Sequence, residues 1–354
     1  MVALILLIVI LGILIFVHEL GHYVTAKNRG AYVYEFSLGM GPKVFSFKRK
    51  KETGDPTEYS LRAFPIGGFC AIAGEVDEND GMDVKLKKSD YMCNKKIWER
   101  CLILIAGVTM NFITGIFILF ISALIWGAPD FGTKLGLVQE GYPVYEAGIR
   151  VGDKVVAIDG MKTNFWDDVQ LALSINMDES EHIFKVQKED GSVKEYKIVP
   201  KEVENEDGTK SKVFGFGLDQ EQKRDIGSAI KYAFGKAYSI IISMGKIIWA
   251  LITGKLSLGA LSGPVGVYSI VGVAAKTSAE SVLYLMAYLS LNLGFINLLP
   301  FPAFDGGRVL FLIIEKIRGK KMNPKVENTI NSIGFALLML LMLIITVKDV
   351  INLF

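Results

Sequence analysis

A run of sixteen uncharged, largely apolar positions, Val2 to Val17, leads directly into His18-Glu19-Leu20-Gly21-His22. Read as a helix, this stretch puts His18 and His22 one turn apart on one face, with Glu19 about 100° round beside it. Two imidazoles so placed can converge on one metal ion. In this spacing two His nitrogens hold Zn2+ and the Glu takes a proton from a metal-bound water. The opposing reading is a solvated helix end with incidental histidines. The chain has three histidines in 354 residues, and two of them stand here at the end of an apolar run. An unpartnered ionisable group at membrane depth costs on the order of 3 kcal/mol, so a functional role is the simpler account.

Half of the chain is hydrophobic and its mean hydropathy is +0.37, too apolar for a soluble protein of this length. The reading is a membrane core plus a soluble domain. A net charge of +2, with no basic block interleaved with aromatics, gives no sign of a nucleic-acid partner. Cys70, Cys93 and Cys101 form no CxxC pair and no disulfide framework. The N-terminal run lacks a basic leading region and a small-residue cleavage site, so it reads as a retained first span to about Ala26.

Between Lys27 and Arg100, the pieces Val33 to Val44 and Tyr59 to Ile72 carry Gly, Pro and alternating apolar residues, which is hairpin chemistry. They are either an ordinary cytoplasmic subdomain or strands that dip to the membrane face and line the site. Glu75 to Asp90 reads as a solvated charged loop, and Leu102 to Trp126 as the second span. Within that span Gly107 and Asn111 lie four apart on one face, suited to close packing with an interhelical hydrogen bond or to substrate contact.

From about Ala128 to Asp225 the chain is polar, with about 20 acids against about 13 bases, and is a separate soluble domain. Strands are expected at Lys154 to Ile158, His182 to Gln187 and Tyr196 to Val199, with a helix at Trp166 to Asn176. His182 has no partner His or Cys nearby and reads as a surface residue; Glu202 to Lys212 reads as an exposed loop. Ile226 to Thr253, apolar with interspersed lysines, fits a helix lying on the membrane surface. Leu258 to Ala275 is Gly-rich and broken at Gly263-Pro264, its depth open. Val282 to Leu299 spans again, Asn297 to Gly307 breaks the helix with two prolines and a Gly pair, and Ile330 to Val347 is the last span, after a basic loop Lys316 to Lys325. The segment between the first two spans has about 14 bases against about 11 acids, so it and the last loop face the cytoplasm and the acidic domain lies outside.

This orientation brings Asp305 to the membrane level of His18 and His22. A catalytic zinc site needs a third protein ligand and one open position, and Asp305 is the natural candidate, although an Asp-Gly turn is its plain alternative. Asn297, and less directly Asn292 or Asn111, suit the substrate backbone or the oxyanion. A helical substrate must unwind before its peptide bond is reachable, and a strand edge near Phe64 to Ile72, including Gly67 and Gly68, can pair with it.

These residues together resemble the bacterial site-2 proteases, intramembrane zinc metalloproteases of the RseP and RasP type. His18 to His22 fits the family's zinc motif, Gly107 to Asn111 its second-span motif, Asn297 to Gly306 the motif carrying the third ligand, and Leu261 to Gly266 the segment before the third span. Gly141 to Gly160 looks like part of a PDZ domain. Phe304 replaces the family's usual Leu, and a single PDZ-like domain makes the chain more similar to the RasP type. The resemblance implies a polytopic α-helical membrane protein of about four transmembrane helices, with a membrane-associated β-hairpin region and an inserted α+β PDZ domain. The expected divisions are residues 1–127, 128–215, 216–280 and 281–354. It also implies a bacterial cell membrane location, the active site toward the cytoplasm and the PDZ domain outside as a size filter or docking site. Implied substrates are single-span proteins such as anti-sigma factors already trimmed by an upstream site-1-type protease, or remnant signal peptides. A catalytically silent PDZ scaffold would predict damage to the His, Glu or Asp set, and an ion transporter further ionisable groups in the spans; the sequence shows neither.

Overall fold

The computed structural model describes residues 2–48, 57–75, 86–176, 180–204, 210–218 and 222–351. The chain divides into two compact units, one formed by residues 1–118 and 261–354 and the other by residues 119–260.

The first unit starts with helix α1 (Val2–Asn28), whose apolar surface is largely unburied by protein, as a lipid-facing helix requires. Two long antiparallel strands follow, β1 (Val33–Lys48) and β2 (Glu58–Ile72). Both bend, so that residues 33–38 pair with 68–72, residues 43–48 pair with 58–62, and Glu35 to Leu38 also stand beside Glu58 to Leu61. The hairpin expected from the sequence is thus four strand segments wide, joined by three ladders. Its outer edge at 68–72 carries no further ladder among the described residues. Val33, Phe36, Cys70 and Ile72 pack with Ala26 of α1 and with Ile103 and Leu104 of helix α2 (Ile97–Trp126) in one core cluster. Met40, Phe45, Phe47 and Phe64 stay exposed toward the far end. Much of the Glu75 to Asp90 segment, expected as a solvated loop, lies outside the described residues.

Glu35 ties the hairpin together. Burial would raise its carboxyl, but hydrogen bonds donated by Ser60 and Arg62, and the Lys43 ammonium 3.1 Å away, hold it below the ordinary glutamate value. A depressed folded pKa gives stability that is complete above the unfolded value of 4.5 and is lost as pH falls through the folded one. Hydrogen exchange across the hairpin should therefore accelerate, beyond its intrinsic pH dependence, as pH falls below that value. The loss should shrink in Glu35→Gln; an undiminished loss would remove Glu35 as its source.

After the second unit come α6 (Pro264–Thr277), α7 (Ala279–Leu298), α8 (Asp305–Arg318) and α9 (Pro324–Ile351). Pro264 at the first turn of α6 starts that helix rather than breaking one, as its missing N–H allows. Asp349 of α9 accepts the backbone N–H groups of Gly263 and Gly266, at 2.8 and 2.9 Å, which fastens this helix start to the end of the last span. The helix α8 is a correction. Asn297 to Gly307 was expected as irregular backbone and Lys316 to Lys325 as loop, whereas regular helix resumes at Asp305 and runs to Arg318. Its inward charge is Glu315, which accepts from Arg100 of α2 at 2.9 Å, both side chains buried. Removing one partner strands the other, so Arg100→Met should destabilise by about 3–5 kcal/mol. The double change Arg100→Met with Glu315→Leu should recover most of that loss in denaturant titrations in detergent.

In the second unit, strands β4 (Lys154–Ile158), β5 (Met161–Lys162), β6 (His182–Gln187) and β7 (Val193–Ile198) form an antiparallel sheet in the order β5-β4-β6-β7. Beside the short helix α3 (Pro143–Glu146), helix α4 (Trp166–Ile175) packs Val169 and Ala172 into its core with Ile158, Phe184 and Val186. Two expectations fail here. His182 is buried, because the alternation of its strand turns it inward, and its Nδ1 lies 2.8 Å from Asp159, a residue held in a left-handed turn at φ +49°. Glu202 to Lys212 is not simply a loop, since Lys201–Glu204 and Lys210–Val213 pair as antiparallel strands.

Helix α5 (Ile226–Ile252) closes this unit. Lys236 and Ser239 bond Asp167 and Lys246 bonds Asp168, at 2.5 to 2.7 Å, while Ile226, Ile230, Phe234 and Trp249 stay exposed. Five described helices are long and apolar enough to cross a membrane: α1, α2, α5, α7 and α9. Length and composition therefore admit one more span than the sequence reading expected.

Candidate metal centre

Helical spacing stacks His18 and His22 on the inward face of α1, both rings buried, with their Nε2 atoms 3.2 Å apart. The helix α2 lies directly behind them. A Cβ on Gly21 would sit 2.4 Å from the Ala106 carbonyl oxygen, and one on Gly107 would sit 2.4 Å from His22 Nε2 and 2.8 Å from His18 Cε1. The two glycines let the helices close until both imidazoles touch the α2 backbone. His22 Nδ1 is 2.8 Å from the Ile103 carbonyl oxygen. A carbonyl only accepts, so Nδ1 carries the proton and Nε2 is bare.

Asp305 arrives from the other direction. Pro300 and Pro302 prevent α7 from continuing, Ala303 turns the chain at φ +77°, and Phe304 enters α8 extended, leaving Asp305 as its first residue. A carboxylate is favoured there by the partial positive charge of a helix N-terminus. Gly306 and Gly307 are needed for approach, since a Cβ on either would meet the Leu298 or Phe301 carbonyl oxygen at 2.2 Å. Asn331 of α9 accepts the Ala303 N–H at 3.3 Å, and Gly334 lets α9 pack on Pro302.

The result places Asp305 Oδ2 at 3.2 Å from His18 Nε2 and 3.3 Å from His22 Nε2. That oxygen is buried and has no hydrogen-bond partner among the described residues. Two imidazole nitrogens and a carboxylate oxygen converging within 3.3 Å of one another are the donor set of a catalytic zinc site. The residues present therefore fit the ion.

A cavity of about 570 Å³ opens on the three, with Glu19 on its wall. Phe69 and Cys70 of β2 line it as well, and the strand passes close enough that a Cβ on Gly68 would lie 3.7 Å from Glu19 Cγ. Of the other residues expected at the site, Gly67 (φ +93°) forms a bend against Met40, and Phe64 lies exposed over Gly41, outside the cavity lining. Asn292 and Asn297 are half-buried on α7 and also outside that lining, while Asn111 is fully buried beside His18. The sequence reading missed the opposite wall: Arg308, which pairs with Glu75, and Asn328, Asn331 and Ser332 of α9. The signal was available. Arg308 stands one turn after Asp305, and the three polar residues recur at helical spacing at the head of an apolar span.

Fold and centre together define a polytopic membrane protein in which a His-Glu-x-x-His helix meets an aspartate from a later helix. Peptidase family M50 matches residues 6–341. The chain is 36% identical over 353 residues to a Fusobacterium nucleatum protein named as a candidate zinc metalloprotease, covering 98% of each. It is 31% identical over 421 residues to the Bacillus subtilis regulator of sigma-W protease RasP and 32% identical over 426 residues to the zinc metalloprotease RasP of Bacillus licheniformis, again covering 98% of each chain. The chain belongs to peptidase family M50, and it is a zinc metalloprotease of the site-2 type.

Gly107 gives a direct test of how tightly this centre is packed. Gly107→Ala should leave the protein folded at a cost of about 1–3 kcal/mol while displacing an imidazole. Metal content of the purified variant should fall well below wild type; full occupancy would show that the helices separate without disturbing the ligands.

Proposed function

We propose that His18, His22 and Asp305 hold the zinc ion and that Glu19 is the general base and acid of peptide hydrolysis within or near the membrane-spanning segment of single-span membrane proteins. The observation carrying this reading is the buried, donorless Asp305 oxygen facing two imidazole nitrogens at 3.2 and 3.3 Å. Zinc, when bound, acts as a Lewis acid and lowers the pKa of its water to about 7. Glu19, on the cavity wall next to the histidines, takes the proton of the attacking water and delivers it to the leaving amine.

The open edge at residues 68–72 runs past Glu19 and suits an unwound substrate segment added as a further strand. Asn297 and Asn292 are proposed substrate contacts only after such a segment enters, since neither lines the cavity. Residues 128–215 are proposed as a PDZ domain outside the cytoplasm, a reading supported by the four-stranded sheet with its packed helix. The helix α5 is proposed to lie along the membrane surface, because two of its three lysines, Lys236 and Lys246, are turned onto Asp167 and Asp168 and its exposed large side chains Ile226, Ile230, Phe234 and Trp249 are apolar. The site faces the cytoplasmic side of a bacterial cell membrane. The substrates proposed are anti-sigma factors after a first cut by a site-1-type protease, a class in keeping with the name of the Bacillus subtilis relative, and remnant signal peptides.

In detergent with a single-span test substrate, wild type and Glu19→Gln should each carry about one zinc per chain, and Glu19→Gln should cleave at least about 100-fold more slowly. Chelation should stop the wild-type reaction and zinc should restore it. Undiminished cleavage by zinc-loaded Glu19→Gln would remove Glu19 from the chemistry, and Asp305→Ala with full zinc occupancy would remove that ligand.

A further inference from the structure

Resting on this ligand set, we propose that Asn111 is a positioning residue of the metal centre, which fixes His18 with its proton on Nδ1 and its Nε2 bare, and not a residue that touches substrate. Its side-chain amide lies 3.1 Å from His18 Nδ1, on the side of the ring away from Asp305. It is fully buried and absent from the cavity lining, so a substrate in the cavity meets the imidazole before it meets Asn111. Its backbone is pinned as well: Ser290 of α7, itself fully buried, donates its hydroxyl to the Asn111 carbonyl oxygen at 2.8 Å.

The amide has two isosteric orientations, and they set opposite tautomers. With Nδ2 toward the ring, the placement of the atoms in the structure, the amide donates to Nδ1 and the ring proton sits on Nε2, pointing into the space between Asp305 and His22. A proton there excludes a metal ligand bond. With Oδ1 toward the ring, Nδ1–H donates to the amide and Nε2 is free. Only the second orientation suits the converging nitrogens. Both imidazoles are then held in the same way from α2, His22 by the Ile103 carbonyl and His18 by the Asn111 amide two turns further on. Gly107 lies between them in sequence, and its missing side chain allows both contacts. Outer partners of metal-ligating histidines are worth about 10–100-fold in metal affinity.

The test reads metal binding, not activity. Full-length protein in detergent is loaded with zinc, or with cobalt as a coloured substitute, and metal loss to a competing chelator is followed for wild type, Asn111→Leu, Asn111→Asp, His18→Ala and Asp305→Ala. Asn111→Leu keeps the volume and removes the acceptor, so it should lose metal about 10–100-fold more readily, with an altered cobalt spectrum. Asn111→Asp, which can only accept from Nδ1–H, should hold metal at least as well as Asn111→Leu. The reverse order, Leu retained and Asp lost, would make Asn111 a packing residue and overturn the proposal; so would wild-type retention in Asn111→Leu. If Asn111→Asp does not fold, nitrogen-15 shifts of labelled histidines in the loaded wild-type protein decide the matter, and a bare Nδ1 on His18 refutes it. His18→Ala and Asp305→Ala separate the two readings. Full retention in either breaks the ligand set itself, whereas metal loss in both beside an unaffected Asn111→Leu breaks only this inference.

Discussion

A carboxylate oxygen held about 3.2 Å from two imidazole nitrogens, with no donor to satisfy it, makes demands on every helix around it. Such groups are stable at the end of apolar spans only if the space between them is filled by a cation and the atoms behind them are partnered. The histidines meet the second demand through α2, which offers a carbonyl to one ring and an amide to the other. Asp305 meets it through its place at a helix N-terminus. The glycines follow from the same requirement. Gly21, Gly107, Gly306 and Gly307 each stand where a Cβ would strike a backbone oxygen or an imidazole at 2.2 to 2.4 Å. Small residues are how membrane helices approach closely, and here the closeness brings two imidazoles and a carboxylate together.

Much of this was legible because the spacing of apolar and polar residues encodes it. The His pair and Glu19, the long apolar segments and the hairpin strands are all local patterns, and the structure builds helix at the first two and strand at the last. What was not legible depends on contacts between segments distant in the chain. Asp305-Gly306-Gly307 reads locally as a turn, since Gly disfavours helix; only the Leu298 and Phe301 carbonyls lying over it explain why glycine begins a helix there. His182 lacks a metal-type partner in sequence, yet Asp159 reaches it across the sheet and buries it. Asn111 was read either as a packing residue or as a substrate contact, and its neighbour His18 lies ninety-three positions earlier.

The two walls of the cavity differ in kind. One wall is strand, whose edge beside Glu19 carries no further ladder among the described residues and whose far end exposes apolar residues. The other is polar, built from Arg308 with Glu75 and from Asn328, Asn331 and Ser332. The strand wall presents backbone hydrogen-bonding groups, and the opposite wall presents amides, a hydroxyl and an ion pair, groups of the kind that hydrate readily.

Arg308 stands one turn beyond Asp305 on the same helix, and Asn331 holds the turn that delivers Asp305, so the polar wall and Asp305 are parts of one framework. A substitution on that wall therefore also acts on where Asp305 is placed. The strand wall is joined to α1 by packing around Phe36, Cys70 and Ile72 and by a hydrogen bond between the Tyr23 and Tyr59 hydroxyls, 2.5 Å apart. Van der Waals packing alone tolerates small slides, whereas a hydrogen bond fixes its two atoms. The strand wall therefore has a fixed point on α1 at Tyr23, as the turn before Asp305 has one on α9 at Asn331.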